Sequence, residues 1–392
     1  MASLTLAGIA YLSAVREFFV SPVFPRRVVI FGLVLAAVWH VVFLRLPVGI
    51  DDDIHRYVWD GRLQRLGYNP YTVVPSDPSA KPLHTEETRN LNNPDLATPY
   101  PPGAELFFRA VTSIHESVFA LRLAFVICEL GIVLLLLDLL RKTGRGAHLV
   151  LAFAWNPLLV IEVAGSGHID IVGAVLLVMS VAALLRRWRA TAALTFSLAV
   201  AVKFLPIVLL PLYWKRVRIR DAGLGAAVLV LVYLPFLDHG RIPFGSLNAY
   251  VQGFRFNGPV FAALDVLASP RWLAGLAVLV GLVTAVIIRR TPSENSPEAF
   301  AWPMAASLLC APVIFPWYLL WLVPFLTSPS TLLILIWTIS IIPTYVMWHY
   351  RTLGRPWGEL PGWVMILEYG CVALAGVIIA LHRITQRRVS RP

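Results

Sequence analysis

Three consecutive carboxylates open the run Asp51-Asp52-Asp53-Ile54-His55-Arg56-Tyr57-Val58-Trp59-Asp60-Gly61-Arg62. They follow directly on a strongly apolar stretch that ends near Leu46. A carboxylate can take the proton of an attacking hydroxyl as general base. Lys, Arg and His can hold the negative charge that grows on a departing phosphate. Groups of that second kind recur at apolar boundaries: Arg56 in the same run, Lys203 in an apolar hairpin, His349 and Arg351 after a late apolar stretch. Acids also complement the exposed N–H groups of a helix N-terminus, and one of the three would serve as a cap alone. The run, however, sits in a segment rich in Tyr, Trp, Asn and Pro for which packing gives no reason.

The elements that must position these groups are membrane helices. Of 392 residues, 58% are apolar and only 14% charged, where a soluble protein carries about a quarter charged. Residues 28–44, 222–237, 272–288, 331–348 and 363–381 are each close to the ~20 residues that cross a bilayer core. The net charge of +11 does not point to nucleic acid. Its basic residues form short clusters between apolar runs: Arg141/Lys142/Arg145, Arg186/Arg187/Arg189, Lys215/Arg216/Arg218/Arg220, Arg289/Arg290 and Arg383/Arg387/Arg388/Arg391. That pattern places those loops in the cytoplasm. Cys128, Cys310 and Cys371 fall in apolar runs without metal-ligand spacing and are expected as buried thiols without a disulfide.

Laid out in order, the chain reads as a single domain over 1–392 with eleven or twelve membrane helices and both termini cytoplasmic. Residues 4–15 read as an interfacial helix rather than a signal peptide. Arg26 and Arg27 precede the first span, which puts Asp51 outside. Residues 47–103 form a long extracytoplasmic loop with eight acids against five Lys or Arg; loops this long tend to be functional or disordered. Its first helix is expected to lie on the membrane, with Ile54, Tyr57, Val58 and Trp59 toward lipid and Arg56, Asp60 and Arg62 toward water. Gly67 would cap it, and Pro70 keeps it from resuming. Glu129, Asp138, Glu162 and Glu368 read as partners in bonds between helices.

On this topology Asp51, Asp52, Asp53, His55, Arg56, His168, Asp170, Lys203, His349 and Arg351 share the outer face. Ionisable groups at such depths are candidate functional sites, although polar turns, snorkelling and ordinary loop charge account for some of them. A base and phosphate-binding cations at one surface suit transfer from a lipid-borne donor, through a cavity reached from the bilayer. A transporter or lipid-linked-sugar flippase would share the spans, but its site sits at the midplane between repeats. A non-catalytic assembly subunit would tolerate loss of the three acids.

The same residues resemble a family. Asp52-Asp53-Ile54-His55-Arg56-Tyr57-Val58-Trp59-Asp60-Gly61-Arg62, Gly67-Tyr68-Asn69-Pro70-Tyr71, Tyr100-Pro101-Pro102-Gly103, Trp155-Asn156-Pro157, Gly167-His168-Ile169-Asp170, the hairpin around Lys203 and Pro206, and Pro316-Trp317-Tyr318 are similar to the GT-C superfamily of integral-membrane glycosyltransferases. Bacterial polyprenol-phosphate-mannose-dependent mannosyltransferases, including the glycosyltransferase family 87 type, are the nearest in kind. The resemblance implies an all-α GT-C bundle in the bacterial inner membrane and inverting transfer from a polyprenyl-phosphate sugar, with mannose the expected sugar, to a lipid- or glycan-linked hydroxyl. It implies an Asp of the first outer loop as base: Asp52, then Asp53, then Asp51. It implies Lys203, Arg351, His349 and Arg56 as donor-phosphate ligands, and His168, Asp170, Tyr57, Tyr100, Trp317 and Tyr318 along the substrate wall. No cofactor is expected, although Asp51-x-Asp53 has the spacing of a DxD pair and keeps a divalent cation open.

Overall fold

The computed structural model describes residues 2–49, 51–355 and 360–389. Among them the chain is helical, with two isolated β-bridges and no strand. The expected residues Pro356, Trp357, Gly358 and Glu359 of the late outer loop and Arg391 of the basic tail lie outside the described residues. The first helices are α1 (Ala2–Val20), α2 (Arg26–Arg45), α3 (Asp53–Arg65), α4 (Pro102–Ile114) and α5 (Val118–Lys142).

Seven described helices are long and apolar enough to cross a bilayer, and Ala147–Ala154 with Pro157–Ser166 makes an eighth, bent by 51°. The count of eleven or twelve treats further apolar pieces as crossings. In the structure Asp170–Leu185, Arg189–Val202 and Pro316–Phe325 are short. Proline interrupts the pieces around 157, 206 and 316–324, while Asp170–Leu185 runs only from the Gly167 turn to the basic cluster at Arg186. Pro157, Pro206, Pro316 and Pro324 each remove a backbone donor. Irregular backbone persists at membrane depth where protein surrounds it, and 12 of the 16 residues of Asp170–Leu185 are buried.

α1 departs from the expected interfacial helix. Residues 3–20 are long and apolar enough to cross. Tyr11 donates from its hydroxyl to Ala152 O at 2.5 Å, and His148 Nε2 lies 3.0 Å from Phe18 O. α1 therefore runs antiparallel to residues 147–156, which brings its start toward the Asp51 end of the bundle and not to the basic end where the N-terminus is expected from the sequence. Phe18, Pro22, Arg145, Glu298 and Thr327 line one crevice at the other end. Arg145 pairs there with Glu298, Arg186 with Asp138 and Arg289 with Glu294. The basic clusters and the three acids thus occupy opposite ends.

α3 also differs from the expected membrane-lying helix. Ile54, Tyr57, Val58 and Trp59 are buried, but so are Arg56 and Asp60. The helix is enclosed because its polar face finds partners in protein rather than water. Arg56 Nε donates to Asp60 Oδ1 at 3.2 Å and its Nη2 to Leu96 O at 2.6 Å. Gln64 Nε2 donates to Glu105 Oε2 of α4 at 2.9 Å. Of the suspected interhelical acids, Glu368 accepts from Asn257 and Trp337, and Glu129 Oε2 stands 2.8 Å from His40 Nε2 as an ion-pair contact without hydrogen-bond geometry.

Candidate active site

The last carbonyls of a helix lack intrahelical donors. At the end of α2 a buried arginine of α5 supplies them. Arg122 donates to Phe43 O at 2.5 Å, to Leu46 O at 3.0 Å and to Ala164 O at 2.8 Å. Gly49 N adds a bond to Gly165 O at 3.2 Å. These bonds fasten the segment before Asp51 to a π-helical turn, Val160–Ser166. Gly167 ends that turn at φ +85°, where a Cβ would stand 2.5 Å from Ile54 Cδ1. His168 leaves the turn beside Asp51 and Asp53, and Asp170 leaves it toward Lys203 and Trp321.

Each acid has its own partners. Asp51 accepts from Trp348 Nε1 at 2.9 Å and from the Asp53 backbone N–H at 2.8 Å. Asp53 accepts from Asn92 Nδ2 at 2.5 Å and from the Tyr100 hydroxyl at 3.3 Å. Asn92 also reaches Asp52 Oδ1 at 3.0 Å, while Asp52 Oδ2 faces Arg351 Nη2 at 3.2 Å. Asp52 keeps 27% of its side chain exposed; Asp51 is buried. Burial pushes the Asp51 carboxyl well above the usual carboxylate range and Asp53 pushes it further, with His168 opposing. Burial likewise raises Asp53. Burial disfavours the charged His168 ring, but Glu162 beside it, then Asp51 and Asp53, raise its proton affinity above the ordinary value.

Lys203 caps the Arg189–Val202 helix with an extended backbone, three residues before Pro206. Its Nζ donates to Asp170 Oδ1 at 2.7 Å and stands 3.7 Å from the centre of the Tyr318 ring. Trp321 Nε1 donates to the same Asp170 oxygen at 2.7 Å. Trp321 fits there because Gly173 leaves room: a Cβ on Gly173 would lie 2.0 Å from the indole.

These groups line one cavity of about 620 Å³. Asp51, Asp52, Asp53, Tyr57, Tyr100, Asp170, Lys203, Trp317, Tyr318 and Arg351 are all on its wall. His168 lies just behind, stacked on Trp317 at 4.0 Å. Two expected phosphate ligands are not brought in. Arg56 is buried against Asp60 and Leu96 O, off the main cavity, because a buried cation keeps the partner that neutralises it. His349 is exposed on the helical turn that sends Trp348 and Arg351 inward, so it too misses the wall. Other wall residues escaped sequence reasoning. Asn92 sits among loop asparagines, Trp348 reads as an interfacial belt residue, and Tyr250 lies in a loop without a motif. A buried indole N–H needs an acceptor, which is the one signal that could have singled out Trp321 and Trp348.

The wall combines an accessible carboxylate, two cations and many aromatic faces. Such a surface can deprotonate a hydroxyl, hold a phosphate and pack a sugar ring.

Residues 1–217, more than half of the chain, match the family described as alpha-(1->6)-mannopyranosyltransferase, N-terminal domain. The fold resembles the crystal structure of ArnT from Cupriavidus metallidurans bound to undecaprenyl phosphate, with a TM-score of 0.52 and 17% identity over 92% of this chain and 72% of that one. No curated protein matches the chain in sequence. At that identity the likeness carries the fold, and the GT-C-type architecture expected from the motifs stands.

Proposed function

The chain belongs to the alpha-(1->6)-mannopyranosyltransferase family, and from that premise we propose that it moves mannose from a polyprenyl-phosphate-mannose donor to a hydroxyl of a lipid- or glycan-linked acceptor. Transfer is a single displacement. The acceptor oxygen attacks the anomeric carbon while Asp52 takes its proton. The bond from that carbon to the phosphate oxygen breaks, and its electron pair leaves on the polyprenyl phosphate, held by Lys203 and Arg351. The anomeric centre inverts, so a β-linked donor gives an α-linked product. The site end faces outward and the basic end faces the cytoplasm of a bacterial inner membrane, by the positive-inside rule.

The observation that carries this reading is the shared wall: Asp52, Lys203 and Arg351 line one cavity, with aromatic faces between them. The ArnT structure, bound to undecaprenyl phosphate, supports a polyprenyl carrier. A base so placed contributes ~10²–10⁴ in rate. The test uses the full chain in lipid nanodiscs with a panel of radiolabelled polyprenyl-phosphate sugars and a membrane lipid extract as acceptor. Mannose is expected to leave its donor with the native chain and not with Asp52→Asn. Donor movement across the bilayer without sugar transfer would overturn the reading in favour of a flippase.

A further inference from the structure

The basic end of the bundle carries one cluster that its own acids do not balance. Elsewhere at that end Arg145 and Arg186 each have a carboxylate, Glu298 and Asp138. Around the turn at 214–218 six cations, Lys215, Arg216, Arg218, Arg220, Arg289 and Arg290, meet two acids, Asp221 and Glu294. Glu294 pairs with Arg289, and among the described residues no carboxylate pairs with the other five cations. Arg216 is half-buried, and its side chain donates only to carbonyls among the described residues: Glu294 O at 3.3 Å and Leu212 O at 3.4 Å. Arg289 reaches Trp214 O at 3.4 Å, so two guanidiniums share one turn. Burial, then Arg289, push the Arg216 guanidinium below the ordinary arginine range, since lost solvent and a like charge both disfavour its charged form.

The turn itself is an independent observation. Arg216 N donates to Tyr213 O at 3.0 Å, with Trp214 at φ −56°, ψ 129° and Lys215 at φ +60°. These are the angles of a type II turn, whose third position calls for Gly or Asn. A lysine occupies it here, so a cation is kept where the backbone disfavours one. The surroundings suit a lipid. The apolar helices over 219–236 and 270–289 both have an end at this turn. Trp214 and Ile219 are exposed in and beside it, and Leu210 and Ile287, just before it on the two neighbouring elements, are exposed as well. A free anion would use the cations and leave these apolar side chains uncovered; a phospholipid covers both.

We infer that Lys215, Arg216 and Arg289 hold the phosphate of an anionic phospholipid in the leaflet at the basic end, with its acyl chains along Trp214 and Ile219. Guanidiniums bind phosphate oxygens through charge-assisted hydrogen bonds, and each cation near a bilayer surface adds to the hold on anionic lipid. The site lies at the end of the bundle opposite Asp52, and it stands whether or not the transferase reading does.

The test is native mass spectrometry of the full chain released from phosphatidylcholine nanodiscs with and without phosphatidylglycerol, together with Tm in each. One phosphatidylglycerol should stay on the native chain, with a higher Tm in its presence. Arg216→Gln should weaken retention about fivefold, and Lys215→Asn/Arg216→Gln about 25-fold, the loss expected for one and for two cations at a charged membrane surface. Arg141→Gln, in another cluster of the same end, should leave retention unchanged. Lys215→Asn suits the turn, so it should raise Tm in phosphatidylcholine while lowering phosphatidylglycerol retention about fivefold. Should Arg216→Gln fail to fold, Lys215→Asn decides. No retained phosphatidylglycerol on the native chain, equal retention in the turn variants, or an equal loss in Arg141→Gln overturns the site. A gain in Tm with inorganic phosphate as large as that with phosphatidylglycerol would overturn the lipid in favour of a free anion.

Discussion

Arg351 closes on Asp52 from the far end of the chain: Nη2 lies 3.2 Å from Oδ2. The guanidinium thus occupies the oxygen that would take the acceptor's proton. A donor phosphate entering the cavity would compete for Arg351 and release Asp52 as it binds. On the proposed transfer reading, donor binding would thereby expose the base.

Arg351→Gln should raise the KM for the donor and lower kcat, because it removes a phosphate ligand and the coupling together. Asp52→Asn should lower kcat by ~10²–10⁴ with donor binding retained. Neither should unfold the protein. Half of the Arg351 side chain is exposed, and such pairs are worth about 0–1 kcal/mol. Radiolabelled transfer, donor binding and thermal unfolding check the three parts. A Tm drop in Arg351→Gln as large as that of a core variant would count against it.

Lys203 and Asp170 separate structure from binding. Asp170 is buried while Lys203 keeps 26% of its side chain exposed. Lys203→Met would leave Asp170 without its cation, at a cost of up to about 3 kcal/mol. Lys203→Met/Asp170→Asn should recover most of that stability, since Trp321 can still donate to the remaining carbonyl oxygen. Donor affinity should stay low in the double variant. Recovery of affinity along with Tm would assign Lys203 a scaffolding role alone.

Glu105 predicts a pH dependence of stability. Burial, then the nearby Asp60, hold its carboxyl well above the ordinary value. The folded state therefore favours the protonated form. Its contribution is full below the unfolded carboxylate pKa, near 4.5, and is lost as pH rises through the raised value. The slope there approaches about 1.4 kcal/mol per pH unit. Glu105→Gln should flatten the Tm–pH curve at neutral and alkaline pH and raise Tm there. Thr98 still finds an acceptor, and Gln64 Oε1, otherwise without a partner, can take the new amide. Unchanged curvature in thermal unfolding from pH 5 to 9 would contradict this.

The parts of the site that could be read from sequence share one property: a charge in an apolar context. Asp51, Asp52, Asp53, Lys203 and Arg351 stood out because hydrocarbon offers them nothing, and all five line the cavity. Charge alone did not say which cation was already taken. Arg56 resembles Lys203 in sequence, yet its acid sits one helical turn away at Asp60. The count of crossings was also not legible. Apolar character measures burial, and the Asp170–Leu185 helix is buried in protein rather than lipid. The aromatic contacts were hidden because Trp348 and Trp321 carry one donor each, and only the fold aims it at Asp51 and Asp170.

Gly167 offers the sharpest test of how the turn sets the site. At φ +85° any L side chain is strained by about 1–2 kcal/mol. A Cβ there would also stand 2.5 Å from Ile54 Cδ1 and 3.0 Å from Arg122 Cγ. Gly167→Ala should therefore push α3 and the turn apart, displacing Asp53 from His168. Tm and transfer should fall together. Ile54→Val removes the clashing methyl and by itself costs about 0.5–1.5 kcal/mol. In Gly167→Ala/Ile54→Val the steric part is relieved and the backbone strain remains. The double variant should consequently be more stable than the sum of the single losses, with a coupling of about 0.5–3 kcal/mol, and should regain part of its transfer rate. Strictly additive losses would mean that the contact between Ile54 and the turn does not hold the acids against His168.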